Sequence, residues 1–367
     1  MRFKLGTFSV GGGVPFPGVV LEGGGPSANP GGNGHDHRAG NYDLSAADHD
    51  RGAGDRVVPL SRALPLLERL NLRLRQSESL LSLLSHWDQN FPALAILCET
   101  LPNELTAASV CIDELHIRAP IDPPRQIFCT IANYRSHIIE SIVDVGVPPH
   151  TDGMDAGARR QYAEKLIEER LRGAPYACFK LPSTVVGPTD PLEIPRHAQR
   201  VDWELELGVV IGKAARRVSR SKAMSYVAGY VLVNDITARD QVRRADVASM
   251  GTDWLQSKNA PGFLPLGPYF VPAAFLPDPY SLRLTLSLND RHMQDALVRD
   301  MLFDIATQIE YLSQHAQLLP GDVICTGTPA GCGTHYKRYL QPGDVIHANV
   351  SELGSQHTPC VAEATKE

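Results

Sequence analysis

The sequence holds seven cysteines but no Cys-x-x-Cys pair. An odd count without paired spacing excludes a disulfide framework and a zinc–thiolate centre as organising features. Cys98, Cys111, Cys129, Cys178, Cys325, Cys332 and Cys360 are therefore read mostly as small hydrophobes. No apolar run approaches the roughly 18 residues of a membrane span. The opening residues, Met1-Arg2-Phe3-Lys4-Leu5-Gly6, lack a hydrophobic signal core, so a cytoplasmic protein is expected. Nor is there a strong charge of one sign. The net charge is −6, which gives no reason to expect a nucleic-acid partner. What remains is ordinary globular material, 367 residues at 43% hydrophobic and 21% charged. That length holds one large domain, or a large one and a small one.

Residues 1–21 read as a strand pair around the Gly-Gly-Gly turn at 11–13. Residues 22–56 are rich in Gly, Asn, Asp and His and read as a mobile loop, with His35, His37 and His49 as solvated loop residues. Residues 57–105 carry helical periodicity, as in Leu60, Leu64, Leu67 and Leu70. A small N-terminal α/β module over 1–118 fits, with Pro120, Pro123 and Pro124 marking the junction to a second domain over 119–367. That second part reads as short strands cut by Gly and Pro: 126–132, 203–211, 227–235, 282–289, 322–326 and 344–350. Helices are expected over Arg159–Leu171 and 300–315. Leu319-Pro-Gly-Asp-Val-Ile324 returns as Leu340-Gln-Pro-Gly-Asp-Val-Ile346. Each Pro-Gly suits a type II turn feeding a strand.

The segment Val201-Asp-Trp-Glu-Leu-Glu-Leu-Gly-Val-Val-Ile211 carries the clearest chemical signal. Strand alternation puts Asp202, Glu204 and Glu206 on one side, opposite Trp203, Leu205 and Leu207. Adjacent carboxylates repel, and near a core they lose solvation. A divalent cation relieves both, whereas a solvated edge strand needs none; the segment alone leaves the two readings open. The apolar run Tyr230–Val233 ends on Asn234-Asp235, which adds a third carboxylate or a turn cap. Three carboxylates without soft ligands select Mg²⁺, Mn²⁺ or Ca²⁺. In Asn133-Tyr134-Arg135-Ser136-His137-Ile-Ile-Glu140, a helical turn puts His137 and Glu140 within reach of each other. A carboxylate beside an imidazole prepares a general base. Arg239, Gln241 and Lys258 are donors suited to an anionic, carbonyl-rich substrate. The loop Thr326-Gly-Thr328-Pro-Ala-Gly331 could offer donors to the same anion, and it lacks the Lys of a nucleotide-binding P-loop.

Taken in order, these stretches resemble the fumarylacetoacetate hydrolase family over roughly 107–355. The matching residues are Asn133-Tyr134…His137…Glu140, Lys180-Leu-Pro-Ser183, Val186-Gly-Pro188, Asp202–Leu207 with Val210–Lys213, Gly229-Tyr230…Asn234-Asp235…Ala238-Arg239-Asp240, Pro265–Pro268, and Gly321–Ile324 with Thr326–Gly331. The resemblance implies an α+β, β-rich fold whose catalytic domain is a mixed-sheet β-roll or sandwich, as a homodimer. It implies Mg²⁺ or Mn²⁺ on Glu204, Glu206 and Asp235, with Ca²⁺ as a substitute, and a dyad of His137 and Glu140 assisted by Lys258. Arg239, Gln241, Thr328 and Tyr134 would contact a small anionic 2-oxo acid. The family often has a Gln three residues after the Arg; here Val242 stands there and Gln241 one earlier. The implied activity is metal-dependent hydrolysis of a carbon–carbon bond in an acylpyruvate or related 1,3-diketo acid. Decarboxylation, isomerisation or dehydration through a metal-bound enolate is the alternative, and a non-catalytic binding protein ranks third.

Overall fold

The computed structural model describes residues 1–21, 55–147 and 149–364. The segment 22–54, with His35, His37 and His49, lies outside the described residues.

Lys4–Ser9, Phe16–Leu21, Arg56–Pro59, Val110–Cys111 and His116–Arg118 form one five-stranded antiparallel sheet. The helices Leu60–Arg69 and Trp87–Thr100 bury Leu60, Ala63, Leu67, Leu94 and Leu97 in the same apolar cluster as Leu5, Val19 and Val58 of that sheet. This cluster also takes in Val210, Val231 and Val323, so apolar packing is continuous into the sheet that follows.

That central sheet is mixed. Its strands are β1 (Ile127–Thr130), β2 (Ala177–Lys180), β3 (Leu205–Ile211), β4 (Val227–Asn234), β5 (Val271–Pro272) and β6 (Val323–Cys325), in the spatial order β5-β4-β3-β6-β1-β2. Only the β6–β1 pair is parallel. β3 is an interior strand, buried along its whole length. Leu205, Leu207, Val209 and Ile211 pack into an inter-sheet core, and Val210 packs into the cluster on the other face. The second layer is the sheet of Arg291–Leu297, Arg283–Leu288, Val345–Val350, Gly354–Ala362 and Leu192–Ile194. Its Leu284, Leu286, Leu288, Ile346, Ala348 and Val350 close that core.

The repeated Pro-Gly turns are built alike. Gly321 and Gly343 take φ of +88° and +94°. Asp322 accepts from Leu319 N, and Asp344 from Gln341 N, each at 2.7 Å. Each carboxylate closes its own turn, which fixes where the next strand begins.

Two helices carry the site's outer wall. In α1 (Arg135–Asp144), Ile138, Ile139 and Ile142 pack on Ala163 and Ile167 of α2 (Ala156–Arg170). Asp155 caps α2 by accepting from Ala158 N at 2.8 Å, so this helix starts three residues before the expected Arg159. Asp304 does the same for Ile305–His315, which begins later than the expected 300. The strand expected over 203–211 is broken. Val201–Asp202 pairs with Thr237–Ala238, and β3 starts only at Leu205.

Candidate metal centre and active site

The acidic segment is an interior strand end, not a solvated edge. Glu204, Glu206 and Asp235 are 6%, 1% and 1% exposed. One oxygen from each lies within 4.8 Å of the others. Backbone bonds bring the third acid in: Asp235 N donates to Glu204 O at 2.8 Å, and Glu204 N donates to Asn234 Oδ1 at 2.9 Å. Asp202 points elsewhere. Its carboxylate accepts from Arg239 Nε at 2.8 Å and from Gly333 N at 2.6 Å.

Three cations balance these acids. Lys258 ends α3 (Trp254–Lys258), which Asp253 caps through Gln256 N. Its ammonium lies 3.0 Å from Glu204 Oε2, 2.5 Å from Asp235 Oδ2 and 2.8 Å from Thr237 Oγ1. Lys180, on edge strand β2, donates to Asp235 Oδ1 at 2.5 Å and to the carbonyls of Ile236 and Phe263. Arg239 Nη2 is 2.7 Å from Glu204 Oε1. Burial opposes ionisation of Asp235, yet Lys180 and Lys258 hold its carboxyl well below the usual range. Burial likewise opposes Glu204, and Arg239 and Lys258 outweigh it. Glu206 has no such cation in contact. Its Oε2 accepts only from Gly327 N, at 2.6 Å, and burial, then Asp235 and Glu204, push it well above the carboxylate range.

The Thr326–Gly331 loop departs from the expectation. Two of its backbone donors go to the protein's own acids, while Thr326 N donates to Leu207 O and Ala330 N to Ser136 Oγ. Gly327 N binds Glu206, and Gly331 N binds both oxygens of Glu140 at 2.9 and 3.0 Å. Thr328 Oγ1 donates to Leu205 O and accepts from Gln294 Nε2. Gly331 has φ +95°, and a Cβ there would meet Met293 O at 2.0 Å, so only glycine fits this hinge of the loop.

The pairing of His137 with Glu140 also differs. Both sit on α1, but the hydrogen bond expected between them is not made. Glu140 is committed to Gly331, while His137 Nδ1 has Cys332 Sγ at 3.9 Å. Burial, then Arg239, lowers the His137 pKa to about 4, so the imidazole is neutral. Tyr134 is buried, with the Thr326 side chain beside its hydroxyl. Gln241 is turned away: its amide binds His197 O and Asp240 Oδ2. Lys180 was not read as a site residue from the sequence. In the structure Cys178 and Lys180 are buried on either side of exposed Phe179, a pattern that the apolar character of Phe179 masks in the sequence. Because both Asp235 and Lys180 are fully buried, Lys180→Met is expected to lower stability by about 3–5 kcal/mol. Urea unfolding checks this; an unchanged midpoint would show that the ion pair contributes nothing.

These donors fit a hard divalent cation. They are three oxygen ligands, buried and mutually repelling, and one of them lacks a cationic partner. Counting Asp202, four carboxylates face three cations, a net charge of −1 that a divalent ion turns to +1.

The family model described as fumarylacetoacetate (FAA) hydrolase C-terminal matches residues 126–361. A 2,4-didehydro-3-deoxy-L-rhamnonate hydrolase of Sphingomonas sp. (strain SKA58) is 37% identical over 224 residues, covering 60% of this chain and 77% of the relative. A mitochondrial oxaloacetate tautomerase of Homo sapiens is 32% identical over 309 residues, covering 83% and 84%. Among solved structures, a fumarylacetoacetate hydrolase from Exiguobacterium antarcticum aligns with a TM-score of 0.65 at 25% identity, over 98% of this chain and all of that one. No helix among the described residues is long and apolar enough to cross a membrane.

Proposed function

The chain belongs to the fumarylacetoacetate hydrolase family, and from that premise we propose that it is a divalent-cation-dependent enzyme hydrolysing a carbon–carbon bond in an acylpyruvate or related 1,3-diketo acid. The observation that carries this reading is the convergence of Glu204, Glu206 and Asp235 within 4.8 Å, beside Lys258 and Arg239. A cation held there would polarise the carbonyl of a 2-oxo acid and offset negative charge developing on it.

The chain's own residues supply the rest. Arg239 offers charged donors to an anionic substrate, while Lys258, whose three N–H groups bind Glu204, Asp235 and Thr237, would act on it through its charge. Neutral His137 takes a proton from water. The hydroxide adds to the distal carbonyl. The bond between that carbon and its neighbour then breaks, and the electron pair stays on the pyruvate fragment as an enolate. The proton held by His137 then goes to the carbon of that enolate, giving the pyruvate methyl group beside the released carboxylic acid. Lys258 stands where the enolate charge is offset. Mg²⁺ or Mn²⁺ suits the all-oxygen set, with Ca²⁺ as a substitute.

A second reading has its own support. Glu140 does not activate His137 through a direct bond, so the two groups could instead move a proton between carbon and oxygen of a 2-oxo acid without attack by water. One relative is named a tautomerase. A panel of acylpyruvates, oxaloacetate and diketo sugar acids separates the readings. With Mg²⁺ or Mn²⁺ present, hydrolysis gives two carboxylic fragments. An isomer of unchanged mass would establish the second reading. No cation-dependent turnover across the panel would overturn both.

A further inference from the structure

Glu140 and Asp144 stand four residues apart on α1, so their carboxylates share one side of the helix. Like charges at this spacing repel. Asp144 is also the last helical residue, where the helix dipole disfavours an anion. A third group lies between the two. His335 belongs to the short helix α4 (Gly333–Tyr336), beyond the last motif of the family resemblance. Its Nδ1 is 2.6 Å from Asp144 Oδ2 and 3.6 Å from Glu140 Oε2. Its ring meets Tyr336 edge-on at 4.8 Å. The side chain of Glu140 is 15% exposed and that of His335 is 40% exposed, so the group runs from the site wall to solvent.

We propose that His335 is a positioning residue for Glu140: bridging Glu140 and Asp144, it holds the Glu140 carboxylate as an anion against the Gly331 amide. The proposal rests on the reading of Glu140 as one of the proton-handling pair, and it explains how that acid stays ionised without His137. Two carboxylates on one helix side need a cation between them, and His335 is the group in place to supply it. The titratable groups around Glu140 are His137 and Asp144 on its own helix, Cys332 and His335 from the following loop and α4, and Asp202 from the broken strand. On balance the Glu140 pKa stands above the ordinary carboxylate value: burial raises it most, the Gly331 amide and then His335 lower it, and Asp144 and Asp202 raise it again. An imidazolium beside a carboxylate favours the ionised form, so removing it should move the Glu140 midpoint up.

The test is substrate-free. Carbon-13 NMR of the full chain labelled at the glutamate carboxyl, with Glu140→Gln locating the Glu140 signal, gives the Glu140 midpoint across the weakly acid range. His335→Asn keeps a side-chain N–H for Asp144 but loses the charge. His335→Phe keeps the ring against Tyr336 and loses both. Each variant is expected to raise the Glu140 midpoint by about half a pH unit or more. A purely structural histidine would leave the midpoint unmoved, and superimposable curves for both variants would overturn the proposal. Glu140→Gln separates the underlying reading. If its turnover on the panel substrate equals wild type, Glu140 is not one of the pair. If turnover is lost while the His335 curves superimpose, only the role of His335 fails.

Discussion

Truncating His137 to alanine is expected to lower turnover by about 10²–10⁴-fold while leaving divalent-cation binding intact. The size follows from the loss of the neutral imidazole beside the metal centre. Burial and Arg239 lower its pKa to about 4, so at neutral pH it is ready to accept a proton. Intact binding follows because the proposed ligand set is the carboxylates of Glu204, Glu206 and Asp235, none of which hydrogen-bonds to His137 among the described residues. The fold should survive. Ile138, Ile139 and Ile142, not His137, pack α1 onto α2, and alanine is a strong helix former. Steady-state kinetics and calorimetry read the two properties separately. Wild-type turnover would remove His137 as the base, and lost cation binding would place it among the ligands instead.

Glu206→Gln carries the other large effect. Glutamine keeps the shape, and its carbonyl still accepts from Gly327 N, which reaches Glu206 at 2.6 Å. The negative charge is gone, however, and with it one of three cation ligands. A bound cation contributes several kcal/mol to a charged transition state, so turnover should fall by about three orders of magnitude. The same substitution should stabilise the cation-free protein. A carboxyl whose pKa in the folded protein stands above its unfolded value loses stability as pH rises through that range. Glu206 is such a group, through burial and the charges of Asp235 and Glu204. At neutral pH without cation, the variant should melt higher than wild type. Adding Mg²⁺ should raise the wild-type melting temperature and leave the variant's unchanged. A variant that melts lower without cation would contradict the view of Glu206 as an uncompensated charge.

Much of the centre was legible because alternation in a strand is strict. Glu204 and Glu206 read as one face opposite Trp203, Leu205 and Leu207, and Asp235 reads as a strand end. Alternation alone could not separate a buried site from a solvated edge, since that depends on which strands lie alongside. β4 and β6 do, and their residues that pair with β3 lie from 16 to more than 100 positions along the chain. Asp202 shared the pattern but not the destination, because the strand breaks at Trp203-Glu204 and Arg239 and Gly333 take its carboxylate. His137 and Glu140 were legible as one helical turn. Their partners were not: Cys332, Gly331 and His335 lie some 190 residues away, beyond any local rule. Lys180 was hidden for a similar reason. It lies between Phe179, which is exposed, and Leu181, and its three acceptors come from distant parts of the chain. The Thr326–Gly331 loop was read as a set of donors for an anion. The anions turned out to be the protein's own carboxylates.

Calorimetric titration of the metal-free full chain with Mn²⁺, in parallel with Glu206→Gln, tests the centre most directly. The expected result is one ion bound per chain in the wild type and loss of that binding in the variant. No binding to the wild type, or equal binding to both, would contradict a cation site built from Glu204, Glu206 and Asp235.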